Sequence, residues 1–356
     1  MNARKHFHTF DALRFFSFLL VFFHHIPSPG STFLSFFTKS GGVGVSFFFV
    51  LSGFLITYIL LHEKISNRKV SLKKFFMRRI LRIWPLFYAM ILFAFLTPYI
   101  LDLLNISYSS EGYKPNWLMS MFFLENYKMM LTGSFPDTSP LRVMWSLCIE
   151  EHFYIIWGIA FSFIPLKKVP LLILICLLFA NISRMVYGYW GIPFLDLFSN
   201  IDYFALGAIP AYILLFKSEV LEKIGEIPLK IKYMLAFATI VLIFGIPNLR
   251  MDWLSYYTPI IYGVFFSGII LFTLPSLNYI CIKDNSLVSK LGIFTYGLYL
   301  FHTIVINLLL HTKQMFPFGF NWLTMLLLSL IITILISIAS YYLFEKQFLK
   351  LKKYFY

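Results

Sequence analysis

Long apolar runs, separated by short polar or Gly/Pro-marked breaks, organise the chain from end to end. A helix crosses the hydrocarbon core with about 20 mostly apolar residues. Ten segments approach that pattern: 10–26, 43–61, 83–104, 146–165, 169–187, 196–216, 233–249, 257–275, 291–311 and 321–344. The breaks carry turn chemistry, with PSPG at 27–30, IPLKK at 164–168, GIP at 191–193 and 245–247, and FPFG at 316–319. The pattern predicts an all-α, polytopic integral membrane helix bundle of about ten transmembrane helices. The first apolar run ends in HHIPSPG without an Ala-x-Ala-like cleavage site, so it reads as a retained span rather than a signal peptide. No internal repeat is visible, which gives no support to an inverted-repeat transporter.

Composition agrees. Of 356 residues, 59% are apolar and only 13% charged, too few charges to cover a water-soluble surface. The net charge of +14 would raise the question of nucleic acid in a soluble protein. Here it divides by topology. With both termini in the cytoplasm, 22 of the 30 Lys and Arg fall on inner segments and 7 on outer ones, Arg14 lying within a span. That asymmetry orients the chain, and no nucleic-acid partner is needed to explain the charge. Cys148, Cys176 and Cys281 lie far apart and suggest neither a disulfide framework nor a zinc site, so no metal is expected. The longest outer segment, about 105–145, has the look of a small cap.

Against so apolar a background, ionisable residues inside spans are functional hypotheses by default. Arg14 and His25 are eleven residues apart, about three helical turns, so they share one helix face about 16 Å apart. His24 points elsewhere. The same spacing suits an Arg that snorkels to the inner headgroups and a His that caps the helix at the outer interface. In the fourth span Ser146, Glu150 and Tyr154 line one face, with Glu150 near the depth of His25. A carboxylate beside an imidazole is a base with an orienting partner; a buried ion pair between two helices fits equally well. Glu151 and His152 stay unassigned. Arg78, Arg79 and Arg82 cluster at the inner end of the third span, as a grip for a phosphorylated cofactor or as a positive-inside anchor. GGVG at 41–44 is weak as a phosphate loop, and Ser52-Gly53 reads as a small-residue helix contact. His302, three residues after Tyr299, is a second histidine of interest or a hydrogen-bonded structural one. Asp196 and Asp202 are available to pair with Arg184.

FDALRFFSFLLVFFHH, GVSFFFVLSGFLI, RRILRIWPLFY, WSLCIEEHFY and LGIFTYGLYLFH occur in that order between residues 10 and 302. Together they resemble membrane acyltransferase family 3, the bacterial O-acyltransferases that modify cell-surface polysaccharides. The family's arginine–ten residues–histidine element falls on Arg14 and His25. Its arginine motif falls on Arg78, Arg79 and Arg82, close to Tyr88, and its Trp-Ser-Leu-x-x-Glu element on Trp145, Ser146, Leu147 and Glu150. The resemblance implies a multi-pass protein of the bacterial inner (cytoplasmic) membrane. It implies acetyl-CoA, or another acyl-CoA, as cytosolic donor and a hydroxyl of a saccharide, such as lipopolysaccharide, as acceptor. On that reading His25 and Glu150 are catalytic, while Arg14 and the arginine cluster hold the CoA phosphates. The pantetheine arm rises along the Arg14–His25 face; Ser146 and Tyr154 are candidate oxyanion donors, and Trp145, Tyr88 and His302 are supporting residues.

Two departures stand out. Many family members have aspartate where this chain has Ser46. Many also carry a C-terminal extracytoplasmic hydrolase-like domain, which the expected single transmembrane acyltransferase domain, 1–356, does not include; a separate extracytoplasmic acyltransferase is then a candidate partner. The competing class is an exporter of a lipid-linked sugar or acyl group that does no covalent chemistry.

Overall fold

The apolar runs fold as helices throughout. Among the described residues the backbone forms no strand, only an isolated bridge between Tyr113 and Pro136. The computed structural model describes residues 6–27, 30, 32–103, 111–137, 139–249, 251, 253–315 and 321–355. Arg4, Lys5, Arg250, part of the PSPG break and the FPFG break lie outside them. In chain order the helices begin with α1 (Thr9–His25), α2 (Thr32–Thr38), α3 (Gly42–Asn67) and α4 (Leu72–Leu103). The short α5 (Trp117–Met121), α6 (Glu125–Thr132) and α7 (Ser139–Arg142) follow, then α8 (Trp145–Phe163), α9 (Val169–Trp190) and α10 (Leu197–Phe216). Next come α11 (Ser218–Glu226), α12 (Leu229–Gly245) and α13 (Leu254–Phe272). The chain ends with α14 (Leu287–Gly292), α15 (Thr295–Met315), α16 (Trp322–Ser340) and α17 (Lys346–Lys350).

Among the described residues, seven helical stretches are long and apolar enough to cross a membrane: Ser35–Asn67, Leu72–Leu103, Leu166–Trp190, Leu197–Phe216, Leu229–Asn248, Leu254–Phe272 and Trp322–Phe355. The chain is thus a multi-pass helical membrane protein. The other three expected spans also form helices, α1, α8 and α15, but fall short of that standard. α1 has only 17 residues. Glu150, Glu151 and His152 dilute the apolar content of α8, and His302, Asn307, His311 and Lys313 that of α15. The total of about ten and the cytoplasmic termini rest on the charge asymmetry of the sequence.

The residues fall into two compact units that alternate along the chain. The first comprises Met1–Ser71, Ile156–Val186 and Phe198–Ile293. Its centre is α3 against α10, brought together by two glycines. A Cβ on Gly53 would stand 2.2 Å from the Phe204 carbonyl oxygen, and one on Gly207 2.0 Å from that of Val50. Small residues let helix backbones touch in this way. Gly41 and Gly44 do the same for α1, since Cβ atoms there would stand 1.8 Å from His24 Cβ and 2.3 Å from the Ser17 carbonyl oxygen. The GGVG run is therefore a packing surface. Lys64 Nζ donates to the carbonyls of Phe161 and Ile164 at 2.7 Å each, satisfying groups that the end of α8 leaves without helical partners.

Arg184, grouped by sequence with the outer charges, is instead fully buried in this unit. Its Nη2 meets Asp202 Oδ2 at 2.7 Å. The rest of the guanidinium donates to the carbonyls of Ser199 (2.7 Å) and Tyr256 (3.0 Å) and to Asn181 Oδ1 (3.2 Å). A buried ion needs this degree of pairing to offset its lost hydration.

The second unit comprises Leu72–Ile155, Tyr187–Leu197 and Phe294–Tyr356. α16 shows what membrane solvent does to a helix. Ser329, Thr333 and Ser337 are buried on one face, each donating to the carbonyl four residues earlier, while Leu323, Leu327, Ile331 and Leu335 are exposed. Polar groups face protein and leucines face outward, the reverse of a helix in water. Residues 111–137 and 139–144 carry a fold of their own. Tyr113 Oη donates to Glu125 Oε1 at 2.6 Å and Ser120 Oγ to Glu125 Oε2. Arg142 donates to the carbonyls of Pro136 (2.8 Å) and Glu111 (2.9 Å). Asp196 takes a hydrogen bond from Tyr187 Oη at 2.7 Å.

Candidate active site

Arg14 and His25 belong to the first unit and the remaining candidates to the second. On α1, Arg14 Nη1 lies 2.6 Å from Asp11 Oδ1, a carboxylate one turn earlier. His24 and His25 differ in what holds them. His24 Nδ1 donates to the Thr38 carbonyl at 2.9 Å, tying α1 to α2. His25 Nδ1 donates to the Val21 carbonyl on its own helix at 2.9 Å. A carbonyl only accepts, so Nδ1 carries the proton and Nε2 is the basic nitrogen of the neutral ring. That tautomer is the one a general base or acyl carrier needs. Between Arg14 and His25 the shared face is filled by Phe18 and Val21, which are 0% and 1% exposed.

In the second unit, three sequence candidates come together. The Arg79 guanidinium stands over the Tyr154 ring, 5.7 Å from its centroid, and Tyr154 Oη donates to Glu150 Oε2 at 3.0 Å. Arg79 also faces the Phe75 ring at 6.0 Å. The i, i+4 spacing of Glu150 and Tyr154 thus becomes a contact that fixes the carboxylate. Arg78 turns differently: it is buried and its Nη1 donates to the Phe355 carbonyl at 2.8 Å. Arg82 is half-buried on the same helix, α4. Arg78 thus has a backbone partner of its own, while Arg79 faces two aromatic rings.

Ser146 and Tyr299 form a closed trio with a backbone oxygen. Their hydroxyls lie 2.7 Å apart, and the Val143 carbonyl is 2.9 Å from Tyr299 Oη and 3.3 Å from Ser146 Oγ. Each hydroxyl has one proton. Whichever donates to the other, both protons stay within the trio, which fastens the start of α8 to α15. Ser146 thus serves to position α8, and Tyr154 has its proton on Glu150. Neither has a proton directed at an oxyanion. His302 is fully buried, with Nδ1 2.6 Å from the Tyr299 carbonyl. Tyr88 Oη donates to the Met121 carbonyl at 3.1 Å, and Trp145 is half-buried at the first turn of α8.

Sequence reasoning left Glu151 unassigned, yet it is the more enclosed of the two adjacent glutamates, 7% exposed. Trp84 Nε1 donates to its Oε2 at 3.3 Å, and among the described residues its Oε1 has no hydrogen-bond partner. Beside it, His152 stacks on Tyr127 with ring centroids 5.5 Å apart. A Glu-Glu pair on a helix turns its two carboxylates about 100° apart, so the sequence could mark one partner of Tyr154 but not the partner of a tryptophan 67 residues away.

Residues 7–342 match a family model described as an acyltransferase domain. Among curated proteins, the chain is 38% identical over 173 residues to the peptidoglycan O-acetyltransferase OatA of Listeria monocytogenes, covering 47% of this chain and 26% of that protein. It is 30% identical over 364 residues to YrhL of Bacillus subtilis, by name a candidate peptidoglycan O-acetyltransferase, covering 94% of this chain and 54% of that one. A candidate O-acetyltransferase of Staphylococcus aureus strain COL is 26% identical over 326 residues, covering 83% of this chain and 50% of its own length. The chain spans about half the length or less of these relatives. No solved structure matches it.

Proposed function

The chain belongs to that acyltransferase family, and from this premise we propose that it is a membrane O-acyltransferase that moves an acetyl group from cytosolic acetyl-CoA to a hydroxyl of a cell-envelope saccharide. The names of its relatives favour a peptidoglycan-type acceptor. The observation that carries the reading at residue level is the His25 tautomer, which leaves Nε2 as a base at the end of α1. Nε2 takes the proton of the acceptor hydroxyl as its oxygen attacks the thioester carbonyl; the proton then goes to the departing CoA thiolate. In the alternative order, Nε2 attacks the thioester carbonyl and expels CoA as the thiolate; the saccharide hydroxyl then attacks the acetyl carbonyl, the C–Nε2 bond breaks, and the hydroxyl proton passes through the freed Nε2 to the thiolate. Glu150, held by Tyr154, is the carboxylate proposed to take part in transfer. Arg14, Arg78, Arg79 and Arg82 are each proposed to hold CoA phosphates, Arg78 also donating to the Phe355 carbonyl. Because Phe18 and Val21 close the face between Arg14 and His25, a pantetheine arm using that face displaces them.

Acetate released from purified envelope glycans, in cells expressing the wild type, His25→Ala or Glu150→Gln at matched levels, tests the proposal. Acetylation is expected only with the wild type. Normal acetylation by both variants sinks the catalytic assignment. Unmodified glycan failing to reach the surface, with unchanged acetate per glycan, establishes the exporter instead. Transfer of label from radiolabelled acetyl-CoA in inverted membrane vesicles identifies the donor.

A further inference from the structure

The N-terminal arm ahead of α1 ends in a cluster that the proposed reaction does not use. His6 Nε2 lies 3.2 Å and His8 Nδ1 2.6 Å from the same oxygen, Oδ2 of Asp284. All three donor atoms lie within 4.8 Å of one another, and the two imidazoles meet edge to face with centroids 4.8 Å apart. Two imidazoles and a carboxylate aimed at one point are more than a helix cap requires. From this geometry we propose that His6, His8 and Asp284 bind one divalent transition-metal ion of the zinc class, fastening the N-terminal arm to the 280–284 segment.

The spacing supports this. A tetrahedral ion with bonds of about 2.0–2.1 Å separates its ligand atoms by about 3.3 Å. The His6–Asp284 distance of 3.2 Å already has that value. The His8–Asp284 pair, hydrogen-bonded at 2.6 Å, opens by about 0.7 Å to accept an ion in place of the shared proton. Two nitrogens and one carboxylate oxygen suit zinc, cobalt, nickel or ferrous iron better than calcium or magnesium. The side chains remain half to two-thirds exposed, so water completes the coordination.

The scaffold beneath the cluster is fixed although its tips face solvent. Thr9 Oγ1 donates to the Ile280 carbonyl at 3.4 Å and accepts from Ile282 N at 3.2 Å, which sets the register of the segment bearing Asp284 against α1. α14, just beyond, packs so closely on α1 that a Cβ on Gly292 would stand 1.9 Å from the Asp11 carbonyl oxygen. Asp284 is thus held in place before any ion arrives, and ligand preorganisation of this kind favours binding.

The test uses the untagged full-length chain purified in detergent and titrated with Co²⁺ and Zn²⁺ as probes. A single Co²⁺ per chain with a tetrahedral or five-coordinate visible spectrum, displaced by Zn²⁺, is expected. His8→Ala and Asp284→Ala each weaken binding by about 10-fold or more, whereas His311→Ala and Cys281→Ser, elsewhere in sequence or beside the cluster, leave it unchanged. Zn²⁺ should also raise the unfolding temperature of the wild type but not of Asp284→Ala. Stoichiometric binding that survives both His8→Ala and Asp284→Ala, or no saturable binding, overturns the proposal. The unmetallated arrangement is then a hydrogen-bonded clasp.

Discussion

Replacing Tyr154 by Phe removes one hydroxyl and little else. The ring that the Arg79 guanidinium covers at 5.7 Å remains, the side chain keeps its buried site, and Glu150 Oε2 loses a donor at 3.0 Å. A hydrogen bond to an ionised group contributes about 1.5–3 kcal/mol. If that bond holds Glu150 in the geometry its role in transfer requires, the rate falls by roughly 10- to 150-fold, at about 1.4 kcal/mol per factor of ten. Glu150→Gln keeps the shape and removes the charge, so it should be the more damaged variant. Initial rates of label transfer from radiolabelled acetyl-CoA to glycan, in vesicles matched for enzyme content, give the comparison. Tyr154→Phe should lower kcat with little change in the KM for donor, because the proposed phosphate grip is untouched. A wild-type rate for Tyr154→Phe beside an inactive Glu150→Gln refutes the orienting role; wild-type rates for both refute any role for this carboxylate.

Other consequences can be checked independently. Asp202→Asn leaves Arg184 as an uncompensated buried cation and should cost about 3–5 kcal/mol, seen as a lower unfolding temperature in detergent, whereas exposed Lys167→Gln should change nothing. Gly53→Ala drives a methyl into the Phe204 carbonyl, so α3 and α10 must separate; yield of folded protein should drop sharply, with Gly42→Ala, which meets nothing within 4 Å, as the tolerated control. The His8 hydrogen bond, with the neighbouring charges of His8 and His6, holds the Asp284 carboxyl below its ordinary value of 3.8. Because this pKa is depressed on folding, the carboxylate's share of the clasp is present above its ordinary value and is lost as pH falls through the lower folded value; proteolysis or hydrogen exchange of the N-terminal arm should report release on acidification through that range.

Contacts within one helix of the candidate site were legible from periodicity, and the contacts that were not share one cause. Helical spacing alone linked Glu150 to Tyr154 and set Arg14 and His25 on one face, because partners on one helix are fixed by 3.6 residues per turn. It could not show that Asp11 would pair with Arg14, or that Arg78 would turn to the Phe355 carbonyl 277 residues away. The Arg184–Asp202 pair was among the available pairings, but only packing selected Asp202 and sent Asp196 to Tyr187. His6, His8 and Asp284 show the same limit, since a contact across 276 residues leaves no local spacing to read.

The helices that fall short of the span standard are those with the most chemistry. α3, α9, α12 and α16 meet every requirement of length and apolarity, and they carry none of the residues proposed for transfer. α1 falls short in length, with 17 residues, while α8 and α15 fall short in apolarity because they contain Glu150 to His152 and His302. The cost of a charged side chain at membrane depth is tolerated only where protein supplies partners, and three residues of these helices have them: a carbonyl for His25, a phenol for Glu150, an indole for Glu151. Weak apolarity in a span flanked by strong ones is therefore a positive signal in this fold. α4 marks the boundary of the rule. It qualifies as a span while carrying three arginines, because they are confined to its first turns and the apolar length follows them. An arginine cluster of that kind is compatible with either a phosphate grip or a topological anchor. Within it, Arg79 stands over the ring of Tyr154, which in turn donates to Glu150.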